Sequence, residues 1–159
     1  MPRDPALDDT SPDTLDTSDW KAILTPVEFA ILRESATERP GTGRYLDQTA
    51  PGAYHCAGCG RKLYDAQHKF HSGCGWPSFF QEVEPDAVRT LTDTSHGMTR
   101  TEMRCAGCDG HVGHIFRDAP HMPTGLRHCV NGYALVFVPE GADPAAVIRD
   151  HREDREQGQ

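Results

Sequence analysis

The chain lacks a long hydrophobic run, an export signal and any excess of positive charge, and each absence narrows what it can be. No stretch approaches the roughly 20 apolar residues needed to cross a bilayer, so no membrane association is expected. The opening, MPRDPALDDTSPDTLDTSDW, is acidic and has no apolar h-region, which reads as neither a secretory signal nor a transit peptide. A cytoplasmic protein is expected, in which the 6 Cys are free thiols or metal ligands and not disulfides. The formal charge is −8, but residues 1–19 hold six Asp against one Arg and residues 149–159 hold four acids against three Arg, leaving 20–148 at −2. A near-neutral centre with acidic ends excludes nucleic acid as a partner, since phosphate binding needs a basic face to displace counterions.

A length of 159 residues supplies one hydrophobic core, with no room for a second catalytic domain. Residues 1–18, rich in Asp, Pro, Thr and Ser, are expected to form a disordered acidic tail. In LTPVEFAILRESATERPGTG, Thr25 is a candidate N-cap, Pro26 takes the first helical position, Glu28 completes a capping box, and Val27, Ile31 and Leu32 follow at helical spacing. After Gly52 the texture becomes β-rich, with strand-like runs at 88–92, 98–105, 111–116 and 133–138. The expectation is a mainly β core of antiparallel strands over 19–140, led by short N-terminal helices. Residues 141–159 form a polar C-terminal extension in which PAAVIRDHRED has too few apolar residues to promise more than a short helix.

All six cysteines fall between Cys56 and Cys129, as do eight of the nine histidines between His55 and His128. The tetrapeptide Cys-Ala-Gly-Cys occurs twice, at Cys56/Cys59 and Cys105/Cys108, each followed closely by another glycine. Such turns point both sulfurs at one centre, and two of them supply four thiolates for a tetrahedral Zn2+. Redox-active pairs are the competing reading, but neither pair opens a helical pattern. A zinc deaminase would need a proline where Arg104 stands. Four cysteine ligands close the site to substrate, so its zinc is structural, tying together segments separated by 45 residues.

That leaves Cys74, flanked by Gly73 and Gly75 two residues before Trp76, and Cys129, set among Arg127, His128 and Asn131 just before an apolar strand. Mobile glycines suit a thiol that must swing, and a nearby guanidinium favours a thiolate. Each residue also has a bland reading: Cys74 as an inert thiol, Trp76 as a core aromatic, Arg127 as a surface ion-pair partner, Asn131 as a turn cap, His111 and His114 as core histidines or metal ligands.

SGCGWPSF, GHVGHIF, TGLRHCVN, the two CxxC pairs and the lead-in LTPVEFAILRESATERPGTGRYLD together resemble a methionine-R-sulfoxide reductase of the B type, from about Trp20 to Pro139 and in the right order. The resemblance implies two antiparallel sheets, a structural zinc opposite the active site, and reduction of the R epimer of methionine sulfoxide. It implies Cys129 as nucleophile, Cys74 as resolving cysteine, catalytic roles for His111, His114, Arg127 and Asn131, and substrate contact at Trp76 and Phe116. The chemistry needs a thiolate to attack sulfur, a proton donor for the oxygen, and an apolar wall for the S-methyl group. The Cys129 sulfenic acid would condense with Cys74, and the disulfide would be opened by thioredoxin or a similar dithiol. Oxidised proteins or peptides, and possible free methionine sulfoxide, are the implied substrates of a monomeric enzyme. Three departures stand out: Gly132 replaces a frequent serine after Asn131, and His71 and His128 replace residues more often Asp and Tyr, with altered rim contacts or pH response as the expected result. The alternative is a zinc-stabilised binding module of the same fold without catalysis.

Overall fold

The computed structural model describes residues 17–158, with side chains through residue 154. Residues 1–16, the bulk of the expected acidic tail, lie outside the described residues; Thr17 and Ser18 already belong to α1 (Thr17–Ile23). α2 (Pro26–Glu34) starts as its sequence dictates. The Thr25 hydroxyl accepts from the Glu28 amide at 3.1 Å, and Glu28 Oε1 accepts from the Thr25 amide at 2.9 Å. Its core face is Ile31 and Leu32, and Ser35 ends it in the left-handed region at φ 59°. Among the described residues no helix is long and apolar enough to cross a membrane.

Two antiparallel sheets follow. The smaller has the order β2 (Lys62–Asp65), β1 (Gly52–Cys56), β9 (Leu135–Pro139). The larger runs β3 (Lys69–Phe70), β4 (Ser78–Phe79), β8 (Arg127–Val130), β7 (His111–Phe116), β6 (Arg100–Cys105), β5 (Val88–Asp93). Tyr54 on β1 and Tyr64 on β2 meet Phe79 of the other sheet, with ring centroids 5.1 and 4.3 Å away, and all three are fully buried. Each such side chain contributes about 1.5–3 kcal/mol by leaving water, so this aromatic contact locks the sheets together.

Two strands begin later than their sequence suggests. Residues 95–97 form a 3-10 turn with His96 and Gly97 at positive φ, so β6 starts at Arg100, and a 3-10 turn at Gly132–Ala134 delays β9 to Leu135. The C-terminal extension is a helix of 15 residues, α3 (Pro144–Gly158), longer than its apolar content suggested. Ile148 and Arg152 anchor it in the interior, and His151 Nε2 meets Glu28 Oε2 at 2.6 Å. Arg44 Nη2 donates to the same carboxylate oxygen at 2.8 Å. Burial opposes the Glu28 charge, but the His151 hydrogen bond and Arg44 hold its pKa below the ordinary value. Polar anchoring thus compensates for a weak apolar stripe.

Candidate active site and metal centre

The duplicated Cys-Ala-Gly-Cys turns bring four buried sulfurs within 4.8 Å of one another. Cys56 Sγ lies 3.6 Å from Cys108 Sγ, and Cys59 Sγ 3.5 Å from Cys105 Sγ. Four sulfurs at about 2.3 Å from a tetrahedral centre stand roughly 3.8 Å apart, so the cluster fits one metal ion. The Gly58 and Gly107 amides each donate to the first sulfur of their own turn at 3.3 Å. All three helices brace the centre. Trp20 of α1 packs beside Gly58, Arg33 of α2 donates to the Cys108 carbonyl at 2.9 Å, and Arg152 of α3 donates to the Gly58 carbonyl at 2.6 Å.

Away from these turns, a cavity of about 180 Å3 gathers Cys74, Trp76, His114, Phe116, Arg127, Cys129 and Asn131, every expected active-site residue except His111. A larger cleft of about 580 Å3 beside His55, Lys62 and Glu140 contains no thiol. On β8 the side chains alternate: Arg127 and Cys129 are half-buried at the cavity, while His128 and Val130 are fully buried in the core. Ser78 on β4 and His114 on β7 pair directly with Cys129 from either side. The Cys74 and Cys129 sulfurs stand 3.7 Å apart, against about 2.05 Å in a disulfide.

The two thiols ionise differently. Burial works against a Cys74 thiolate, but hydroxyl contacts from Ser72 at 3.0 Å and Ser78 at 3.4 Å bring its pKa down to about 7. Burial, reinforced by the adjacent Cys74 charge, pushes Cys129 up to about 12. Arg127 still favours the Cys129 thiolate, as its place two residues away suggests, but burial and the Cys74 charge outweigh it. Its Nε and Nη2 also donate to Asp118 at 3.0 and 2.9 Å, with the guanidinium over the Phe116 ring.

His111 and His114 are three residues apart, which would place them on opposite faces of a regular strand. A bulge prevents that. Met103 pairs with Gly113 but Arg104 pairs with His111, so Val112 is the extra residue and both imidazoles share a face, ring centroids 5.4 Å apart. His111 Nδ1 meets Glu102 Oε2 at 2.7 Å, and burial lowers its pKa despite that carboxylate. His114 Nε2 meets Asp93 Oδ2 at 2.8 Å. Gly113 lets the strands approach, since a Cβ there would stand 2.0 Å from the Cys129 carbonyl oxygen.

Several contributors had no sequence signal strong enough to single them out. Asp93 and Glu102 each hold a histidine, and the latter could have been suspected from the period-two run Arg100, Glu102, Arg104 on β6. Glu38 is buried in the loop after α2. Its carbonyl accepts from Trp76 Nε1 at 3.1 Å, its amide donates to Asn131 Oδ1 at 3.1 Å, and its Oε1 accepts from the Tyr133 amide at 2.9 Å. One loop residue therefore sets both the aromatic wall and the asparagine. Asn131 completes its bonding by donating Nδ2–H to the Val112 carbonyl at 3.2 Å.

The departures resolve physically. At Gly132 a Cβ would lie 1.9 Å from the Arg44 carbonyl oxygen, so this backbone has no space for a serine. His128 is a core residue and not a rim residue: its Nδ1 meets the Tyr64 hydroxyl at 2.9 Å, and burial lowers its pKa to about 4. His71 is exposed.

The model of the SelR domain matches residues 24–139. The chain belongs to the SelR domain family. It is 53% identical over 122 residues to a protein of Agrobacterium fabrum named peptide methionine sulfoxide reductase MsrB, covering 77% of this chain and 90% of the relative. A Synechococcus protein of the same name is 51% identical over 133 residues, covering 82% and 97%. A Cellvibrio japonicus protein of that name is 52% identical over 121 residues, covering 76% and 86%. With relatives of this identity and coverage named peptide methionine sulfoxide reductase, the chain is an oxidoreductase, and the cavity and the metal centre both lie inside the segment matched by the family model.

Proposed function

We propose that the chain reduces the R epimer of methionine sulfoxide in oxidised proteins and peptides, with Cys129 as nucleophile and Cys74 as resolving thiol. The general activity, methionine sulfoxide reduction, follows from the family; the roles are carried by one observation, the 3.7 Å approach of two free thiols in a cavity that also holds His114 and Trp76.

The Cys129 thiolate attacks the sulfoxide sulfur while a histidine protonates the oxygen, yielding the thioether and Cys129 sulfenic acid. Trp76 and Phe116 receive the methyl and thioether groups, and Asn131 holds the end of the nucleophile's strand. The Cys74 thiol then displaces the sulfenic oxygen, forming the Cys74–Cys129 disulfide and releasing water. A thioredoxin-like dithiol returns both residues to thiols by exchange. In the resting pair the negative charge sits on Cys74, and the short contact allows the proton to pass between the sulfurs once substrate occupies the cavity. Cys56, Cys59, Cys105 and Cys108 would hold a structural Zn2+, which would fix the two turns to whose carbonyls Arg33 and Arg152 tie α2 and α3. A monomer acting in the cytoplasm completes the reading.

Separate R and S epimers of a blocked methionine sulfoxide peptide, incubated with the enzyme and dithiothreitol, test it. The R epimer should be consumed and the S epimer left intact. Consumption of neither, or of S alone, would overturn the proposal.

A further inference from the structure

We propose that Asp93 is a positioning residue that fixes His114, and not His111, as the proton donor to the sulfoxide oxygen. This rests on the sulfoxide-reducing role of the cavity given above. The assignment begins with which histidine reaches the cavity. His114 lines it and pairs directly with Cys129 across β7 and β8, whereas His111 is set behind it with its Nε2 buried and without a protein partner.

Asp93 ends β5 and reaches across β6 to the ring. Its Oδ1 accepts from the Ser95 amide at 2.9 Å, and its Oδ2 accepts from Arg100 Nη2 at 3.2 Å and stands 2.8 Å from His114 Nε2. Hydrogen bonds from Ser95 and then His114 keep the carboxyl well below its ordinary pKa, so it is an ionised acceptor and Nε2 must carry the proton. The tautomer is thereby set. A second proton can enter only at Nδ1, and the adjacent carboxylate stabilises the imidazolium that results. This is the logic of a nucleophile's partner oriented by a third group, here on strands β8, β7 and β5.

The step balances. Sulfoxide, Cys129 thiolate and the Nδ1 proton of His114 imidazolium give thioether, Cys129 sulfenic acid and neutral His114, which then takes a proton from water. Other charges around the ring are already engaged. On β6, Arg100 serves Asp93 and Glu102 serves His111 and Arg104; on β8, Arg127 serves Asp118. From the loop before β4 comes Cys74, beside Cys129. On α2, which packs against β7, Glu28 serves Arg44 and His151, Arg33 serves the Cys108 carbonyl, and Glu34 is exposed. Asp93 is the carboxylate bonded to His114 among the described residues.

The test is single-turnover reduction of a blocked R-sulfoxide peptide by the metal-loaded full chain across neutral and alkaline pH, comparing wild type, Asp93→Asn and Asp93→Glu. A donor must be protonated, so the single-turnover rate has an alkaline limb on which it is lost. Removing the carboxylate's charge takes away what stabilises the protonated donor and should lower the rate on that limb by about tenfold, with a smaller loss at neutral pH. KM should change less than about twofold, because Asp93 does not contact substrate, and Asp93→Glu should restore part of the alkaline rate. An unchanged alkaline limb in Asp93→Asn, with wild type active, overturns the inference alone. Wild type inert towards the R epimer overturns the functional reading and the donor role with it. Imidazole nitrogen resonances of the wild-type protein provide a test that needs no variant: neutral His114 should carry its proton on Nε2, and an Nδ1–H tautomer would contradict the assignment.

Discussion

Limited alkylation of the reduced protein should label Cys74 before Cys129, although Cys129 is the nucleophile in the proposed turnover. Two hydroxyl contacts lower the Cys74 pKa to about 7, whereas burial and the neighbouring charge raise that of Cys129 to about 12. Near pH 7 roughly half of Cys74 is thiolate, and the Cys129 thiolate is rarer by a factor on the order of 10^4–10^5. The more basic thiolate reacts faster once formed, by a factor on the order of 10^2 for a Brønsted slope of about 0.4–0.5. Labelling at Cys74 should therefore lead by about 10^2-fold. Substoichiometric iodoacetamide, an acid quench and peptide mass mapping measure the ratio directly. In Cys74→Ser the adjacent negative charge is gone, so the Cys129 pKa falls and its alkylation near pH 8 speeds up. Equal labelling in the wild type, or slower Cys129 labelling in Cys74→Ser, would refute the account of the charge between the sulfurs.

Other consequences are equally direct. Cys105→Ser removes one of four sulfurs, and because ligation energy in such sites is about 10–16 kcal/mol, comparable to a domain's whole stability, metal content should fall towards zero with loss of cooperative melting; stoichiometric metal and unchanged melting would contradict this. Gly132→Ser forces a side chain against the Arg44 carbonyl and should cost about 1–3 kcal/mol, seen as a lower melting temperature, whereas an unchanged melt would mean that the Arg44 loop yields freely. His128 has a folded-state pKa of about 4 against an ordinary 6.5, so the unfolded chain binds the extra proton and stability is lost as pH falls from about 6.5 to 4. The loss is on the order of 3 kcal/mol, and denaturant titrations should give a flatter pH dependence for His128→Phe than for wild type; equal slopes would place the titrating group elsewhere.

What was legible in the sequence was whatever local chemistry enforces. The capping box at Thr25 and Glu28 works within one turn of chain, and the repeated Cys-Ala-Gly-Cys turns dictate their own metal-binding shape, so both emerge as expected. Strand texture also carried through, because period-two burial on β8 is a property of neighbouring residues. Contacts across the fold were not legible. The bulge that puts His111 beside His114 depends on β6 register, and the grip of Glu38 on Trp76 and Asn131 depends on a loop packed against residues 38 and 93 positions away. Arg127 favours the Cys129 thiolate as its position suggests, but the two hydrogen bonds it shares with Asp118, and the burial that outweighs it, were not legible. The C-terminal helix was underrated for a similar reason: hydropathy does not register an Arg152 that reaches a knuckle carbonyl or a His151 that reaches a buried Glu28.

The central claim is the division of labour between Cys129 and Cys74, and one measurement reaches it: methionine formed per enzyme in the first turnover, without reductant, from a blocked R-sulfoxide peptide. Cys74→Ser should release about one thioether per enzyme and leave a Cys129 sulfenic acid that a nucleophilic probe captures. Cys129→Ser should release none, because a serine hydroxyl is not ionised at neutral pH and cannot attack the sulfoxide sulfur. A full first turnover from Cys129→Ser, with none from Cys74→Ser, would reverse the two roles and contradict the account.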